Sequence, residues 1–151
     1  MRRLLWFIFL FLLAVLSYYR EVLFVSINAV IAGEQFFWAK TAQMNFFLNK
    51  STATLVQYKY IMTAGFSALF ALFTTIGLRV SFQEKTPYLM ALLTYSVCGS
   101  IAGVVLVYSL LTNRFESVYY FLRLIIEYLH NPLIYIFISA SFLGYSYSQK
   151  K

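Results

Sequence analysis

Residues 88–113 read YLMALLTYSVCGSIAGVVLVYSLLTN and contain no Lys, Arg, Asp, Glu or His over 26 positions. In lipid, every backbone N–H and C=O must be hydrogen-bonded within the structure, so an apolar run of this length forms a helix. A helix rises about 1.5 Å per residue, and the hydrocarbon core of a bilayer is about 30 Å thick. The run is long enough to cross a membrane with some tilt. It predicts an all-α integral membrane protein.

The composition of the whole chain agrees with a membrane location. Hydrophobic residues make up 62% of the sequence and charged residues only 11%, and the mean hydropathy is +0.75. A soluble domain of this size keeps much of its surface in water and could not hide so much apolar surface. The net charge of +7 is scattered rather than gathered into a basic stripe, which argues against nucleic-acid binding. The lipid bilayer is therefore the expected partner.

Other uncharged or weakly charged runs predict a helical bundle of about four transmembrane helices in a single domain, 1–151. The predicted spans lie near residues 4–24, 60–78, 88–112 and 118–144. The last span is ambiguous because Pro132 either kinks it or opens a new helix. In the second case residues 115–131 are interfacial and the crossing starts at Pro132. A cleavable signal peptide ending near Ser17 is the alternative for the first span, and three spans would survive its removal.

Residues 25–59, between the first two spans, turn polar yet stay rich in aromatic side chains. Phe36, Phe37, Trp38, Phe46 and Phe47 all lie in this stretch. A free loop does not carry such a density of rings, whereas helices at the membrane surface do. We expect an aromatic-rich interfacial segment that lies on the membrane or packs on the bundle.

The distribution of Lys and Arg sets the expected orientation. The two sides of the membrane receive equal numbers of basic residues, but Arg2 and Arg3 directly flank the first span. We therefore expect the amino terminus inside. With four spans, this predicts a multi-pass protein of the bacterial inner (cytoplasmic) membrane with both termini cytoplasmic.

The candidate functional residues form a polar cluster on the last span. Arg123 and Glu127 are four residues apart, as are Glu127 and Asn131, and His130 lies seven residues after Arg123. These spacings place all four on one helix face. Ionisable groups at membrane depth are costly and usually face protein or water. The cluster predicts a proton relay or a docking face for a charged partner. The alternative is an interfacial Arg–Glu pair with a structural His130.

Arg20 and Glu21 form a second charged pair at the end of the first span. If the first and last spans are neighbours, Glu21 can meet Arg123, and Glu127 can meet Arg20. The alternative is two independent, solvated pairs near the interface.

Gly99 and Gly103 form a G-x-x-x-G pair on the third span, a pattern that lets helices approach closely. It fits packing within the chain as well as a partner interface. Cys98 and His130 suggest a Cys–His nucleophile, but two residues without a motif are weak evidence. The sequence contains no P-loop, HExxH or C-x-x-C motif and no acidic metal cluster. No catalytic, metal or cofactor-binding residue is assigned, and we expect no enzymatic activity.

Two stretches resemble small four-helix membrane proteins encoded beside bacterial exosortases. Residues 18–24, YYREVLF, are similar to the end of their first span. Residues 120–126, YFLRLII, followed by Asn131-Pro132-Leu133, are similar to their last helix, and the basic tail at 149–151 is also similar. The resemblance covers roughly a quarter of the chain. It implies an accessory to a membrane-bound sorting protease–transpeptidase, without chemistry of its own.

Two functions follow as expectations. The first is a non-enzymatic accessory or interaction subunit of an inner-membrane complex, with a membrane protein such as an exosortase, or a second copy of the chain, as partner. The second is a small transporter or channel subunit with a polar path along the last helix. A polar cavity that reaches mid-membrane would favour the second.

Overall fold

The computed structural model describes residues 2–33, 46–112 and 114–148, and within them it is all-α. Three of its helices are each long and apolar enough to cross a membrane, and a fourth crossing results if a bent helix pair forms one span. The predicted fold class is confirmed. The helices are α1 Arg2–Ala32, α2 Thr52–Ser81, α3 Thr86–Leu111, α4 Phe115–Leu129 and α5 Leu133–Ser148.

Local sequence signals explain where the helices begin and end. Gly33 adopts a φ of +69° directly after α1, a left-handed conformation that glycine reaches without steric cost and that commonly ends helices. Ser51 caps α2 by accepting a hydrogen bond from the Thr54 amide at 3.3 Å. Pro87 lies in the first turn of α3, where its missing N–H costs nothing.

The first two helices are longer than the predicted spans. The helix that contains the predicted span 4–24 continues to Ala32, and the one that contains 60–78 begins at Thr52. The predicted interfacial segment therefore contributes its two ends to these helices, while residues 34–45 lie outside the described residues. Close to the start of α2, Phe47 is buried against Ile27 and Leu55. The aromatic segment thus packs on the bundle at this point.

The last predicted span is broken. Helices α4 and α5 meet at an angle of 59°. The side-chain oxygen of Asn131 accepts a hydrogen bond from the Leu133 amide at 2.9 Å and so caps α5. Pro132 opens the new helix instead of kinking a continuous one.

Helices α1 and α2 pack antiparallel along most of their length. Near one end, Arg2 approaches Gln83 and Phe9 lies against Gly77; near the other, Lys59 bonds to Asn28. We call the end with Arg2 and Gln83 the closed end of the bundle, and the end with Lys59 and Asn28 the charged end.

At the closed end, α5 also joins α1 and α2. The Trp6 indole donates to Ser139 at 2.9 Å, and the Tyr135 hydroxyl lies 3.1 Å from Ser81. The core beneath these contacts is built on Leu13, Phe70, Leu78, Ala91 and Tyr135. Because Phe82 contacts Phe142, the carboxyl half of α5 lies at the same end as the start of α1.

Gly77 is the closest point of approach between α1 and α2. A Cβ built on Gly77 would lie 2.8 Å from the Cβ of Phe9, an atom too near its backbone to move aside. Gly77→Leu should destabilise the protein by about 1–3 kcal/mol through overpacking. The measurement is the thermal unfolding midpoint in mild detergent.

Gly65→Leu is the matched control, because nothing lies within 4 Å of a Cβ at that position on the same helix. Removing a helical glycine there should leave stability unchanged or raise it by up to about 1 kcal/mol. Equal effects of the two substitutions would contradict the close packing of Phe9 on Gly77.

Candidate functional site

A cavity of about 760 Å³ lies between helices α1, α2, α3 and α4. It exists because α1 packs on α2 while α4 packs mainly on α3, which leaves a gap between α1 and α4. Its polar wall is concentrated toward the charged end of the bundle. The charged or amide side chains on that wall are Arg20, Glu21, Asn28, Lys59, Arg123 and Glu127.

Arg123 and Glu127 form an ion pair on the α4 wall of the cavity. The Arg123 Nε lies 2.7 Å from the Glu127 Oε1, as the spacing of four residues favours. Their side chains are 61% and 42% exposed in the isolated chain. The pair is therefore at the rim of the cavity, where a partner could reach it.

Arg20 and Glu21 form the second pair, on the α1 wall. The Arg20 Nη1 lies 3.4 Å from the Glu21 Oε2, and the guanidinium lies over the Phe24 ring at 5.2 Å. Only 15% of the Arg20 side chain is exposed, against 66% for Glu21. The buried Arg20 Nε has no hydrogen-bond partner.

The structure places both ion pairs on the wall of one cavity, but each arginine pairs with the glutamate of its own helix. Among the described residues, the salt bridges are those within each pair, so Glu21 does not reach Arg123, nor Glu127 Arg20. Each carboxylate neutralises the arginine of its own helix. The alternative of two independent pairs describes this arrangement.

Lys59 is the site residue that sequence reasoning missed. Its Nζ donates to the Asn28 Oδ1 at 2.8 Å, and within the described part of the chain no carboxylate lies within 4 Å of it. Because Asn28 is neutral, no ion pair with another described residue compensates the positive charge of Lys59. The available signal was its position directly before the uncharged run 60–78, which indicated only the end of a span.

His130 and Asn131 lie at the break between α4 and α5 rather than on the cavity wall. His130 is 1% exposed, stacks on Phe70 at 5.4 Å and lies with its Nε2 2.7 Å from the Ser67 Oγ. The Ser67 hydroxyl donates its one hydrogen to the Thr63 carbonyl at 2.9 Å. His130 is then the donor through Nε2, which leaves its buried Nδ1 as an unpaired acceptor.

Tyr95 closes the cavity at its deep end. The Tyr95 hydroxyl donates to the Leu129 carbonyl at 3.1 Å and lies 3.2 Å from the Thr74 Oγ1. These contacts tie α3 to the end of α4 and to α2. The polar cavity thus reaches the middle of the bundle and stops there.

Gly99 and Gly103 line the cavity on α3. In the described part of the chain, no atom lies within 4 Å of a Cβ built at either position, so neither glycine mediates a close helix approach there. They widen the cavity instead. Gly77 is the glycine that makes a close helix contact.

The cavity offers a ligand both charged and apolar surface. Among the described residues, no group of three or more His, Cys, Asp or Glu side chains is placed to hold a metal ion. The cavity wall combines two neutralised ion pairs, one uncompensated lysine and an apolar interior.

The chain matches no known protein family, no curated protein and no solved structure at a significant level.

Proposed function

We propose that this multi-pass membrane protein is a non-enzymatic accessory subunit of a complex in the bacterial inner membrane. The observation that carries the proposal is the Arg123–Glu127 pair on the rim of a cavity that α1 and α4 leave open. An ion pair within a membrane-spanning segment normally faces protein or water. A partner helix seated along the edge of α4 that borders the cavity opening would cover this pair.

The resemblance to exosortase-associated proteins supports an exosortase-type sorting system as the complex. Its two main stretches, 18–24 on α1 and 120–126 on α4, are about a hundred residues apart in sequence. They nevertheless line opposite walls of the same cavity, through Arg20, Glu21 and Phe24 on one side and Leu122 and Arg123 on the other. The features that resemble one family are thus gathered at one site.

A small transporter or channel subunit is the second candidate, and the depth of the cavity favours it. Its polar wall extends from Lys59 toward Tyr95, near the middle of the bundle. Passage across the membrane would require the hydrogen bond from Tyr95 to Leu129 to open. Purified protein in vesicles that conducts ions, with conduction raised by Tyr95→Phe, would favour transport over the accessory role.

The proposed orientation can be tested with single cysteines in a Cys98→Ser background. Lys50→Cys lies at the charged end of the bundle and Glu84→Cys in the turn at the closed end. With both termini cytoplasmic, a membrane-impermeant maleimide added from the periplasmic side should modify position 50 and spare position 84. The reverse pattern would place the termini outside.

The accessory role can be tested by a double-mutant cycle on Arg123→Ala and Glu127→Ala. A charge left alone at a helix centre costs about 2.5–3.5 kcal/mol on insertion scales, whereas water-exposed pairs contribute about 0–1 kcal/mol. Each single substitution should therefore reduce thermal stability or partner co-purification in mild detergent, and the double variant should recover part of the loss. We expect a coupling energy above about 1 kcal/mol.

Arg114→Ala provides the control for the cycle. Arg114 precedes α4 and its side chain makes no capping hydrogen bond. Its coupling to Glu127→Ala should be near zero. Additive, near-zero effects of Arg123→Ala and Glu127→Ala would describe a solvated surface pair and contradict the proposal.

A further inference from the structure

We propose that the cavity between α1 and α4 is a binding site for one anionic phospholipid, with its phosphate at Lys59 and one acyl chain in the apolar interior. This site lies inside the cavity and depends on Lys59, whereas the proposed partner contact depends on the Arg123–Glu127 rim. The two inferences therefore stand or fall separately.

The described residues of the cavity wall carry one more positive charge than negative charges, so a ligand with one negative charge would balance them. Among the described residues of this wall, three cations, Arg20, Lys59 and Arg123, face two carboxylates, and each carboxylate is bound by an arginine of its own helix. Lys59 is left with the neutral Asn28 amide. A phosphodiester headgroup carries one negative charge and accepts hydrogen bonds from Lys, so it complements this wall.

Lys59 also lies at the depth of lipid phosphates. It directly precedes the 19 uncharged residues 60–78, which are closed by Arg79. Nineteen residues of helix cover about 28 Å, close to the thickness of the hydrocarbon core. Lys59 is thus at the boundary between hydrocarbon and headgroups at the charged end of the bundle.

The shape of the cavity suits a lipid acyl chain rather than a polypeptide helix. Positions 59 and 71, both on its wall, are separated by about 18 Å along α2. Its deeper wall is small at Ala71, Gly99 and Gly103, which leave open space. The hydroxyls on the same wall, those of Thr63, Ser67 and Tyr95, each donate to a backbone carbonyl of the protein. Two turns of a helix with side chains already fill roughly 850–1,200 Å³. The cavity of about 760 Å³ is instead in the range of small-molecule sites.

The gap between α1 and α4 gives a lipid a way in from the bilayer. The gap is flanked by Glu21 and Arg123, whose side chains are 66% and 61% exposed. One acyl chain can enter through this opening while the second stays among the surrounding lipids. The headgroup then meets Lys59 without having to cross the hydrocarbon core.

The test uses full-length protein extracted from vesicles of equal parts phosphatidylglycerol and phosphatidylcholine with identical acyl chains. Native mass spectrometry counts the lipids that stay bound. We expect one retained lipid per chain and at least a tenfold preference for phosphatidylglycerol. Lys59→Gln should reduce the preference below threefold, and Lys59→Arg should keep it. Equal retention of the two lipids by the unaltered protein would overturn the proposal.

Three further variants distinguish a specific binding site from general electrostatic attraction of anionic lipid. Lys50→Gln removes a charge at the same end of the bundle, where Lys50 lies over the Phe46 ring, and should keep the preference. Gly99→Leu adds a side chain at the cavity wall, where nothing lies within 4 Å of a built Cβ, and should lower total retention at least fivefold, whereas Gly65→Leu should not. Equal losses for Lys50→Gln and Lys59→Gln, or full retention by Gly99→Leu, would contradict the site.

A photoreactive residue at position 106, on the cavity wall, identifies the occupant in cells. A lipid adduct is expected. A polypeptide adduct would show that a protein segment fills the cavity and would overturn the lipid proposal. The coupling energy between Arg123 and Glu127 reports on the ion pair at the rim of the cavity, so this outcome would not change its interpretation.

Discussion

The hydrogen bond between His130 and Ser67 fixes the point at which the last span breaks, and the cavity depends on that break. His130 is held against α2 by this bond and by stacking on Phe70. Beyond it, α5 packs on α3 and α2 and bonds to α1 through Ser139 and Trp6 at the closed end, while α4 stays mainly on α3. If the last span were one straight helix, α4 could not diverge from α1 in this way. The gap that forms the candidate site follows from the bend.

The two ends of the bundle are stabilised by different interactions. At the closed end, neutral hydrogen bonds between helices join Trp6 to Ser139 and Tyr135 to Ser81, and Phe9 packs tightly on Gly77. Such contacts hold helices together in lipid, where the hydrophobic effect contributes little between helices. At the charged end, ionic side chains line an open space. The molecule thus has a packed half that supports the fold and an open half that is available for binding.

Much of the fold could be predicted because span length and charge distribution are local properties of the sequence. The run 88–113 lies almost wholly within one helix of the structure. The spacing of Arg123 and Glu127 placed them on one face because helix periodicity fixes it. The outer ends of α1 and α2 lie beyond the predicted spans because the charges at Arg20, Glu21 and Lys59 were taken to mark the span limits. The helices instead end at a glycine after Ala32 and at a serine cap before Thr52.

The tertiary features of the site could not be read from the sequence. Lys59 became a site residue only because Asn28, 31 positions earlier, lies beside it and no carboxylate does. The G-x-x-x-G pattern at Gly99 indicated close packing, yet Gly77, without such a pattern, makes the contact. Which small residue faces a neighbour depends on the rotation of each helix about its axis. That rotation is decided by the whole set of side chains around it.

The break after Leu129 also determines how helix dipoles meet inside the protein. The carboxyl end of α4 carries partial negative charge, and the amino end of α5, only a few residues away, carries partial positive charge. Tyr95 donates to the Leu129 carbonyl, and Asn131 accepts from the first amide of α5, so one terminal backbone group on each side of the break is paired by a side chain. In many transporters, broken helices direct like ends at a bound ion. Here opposite ends adjoin, so their partial charges oppose each other across the break.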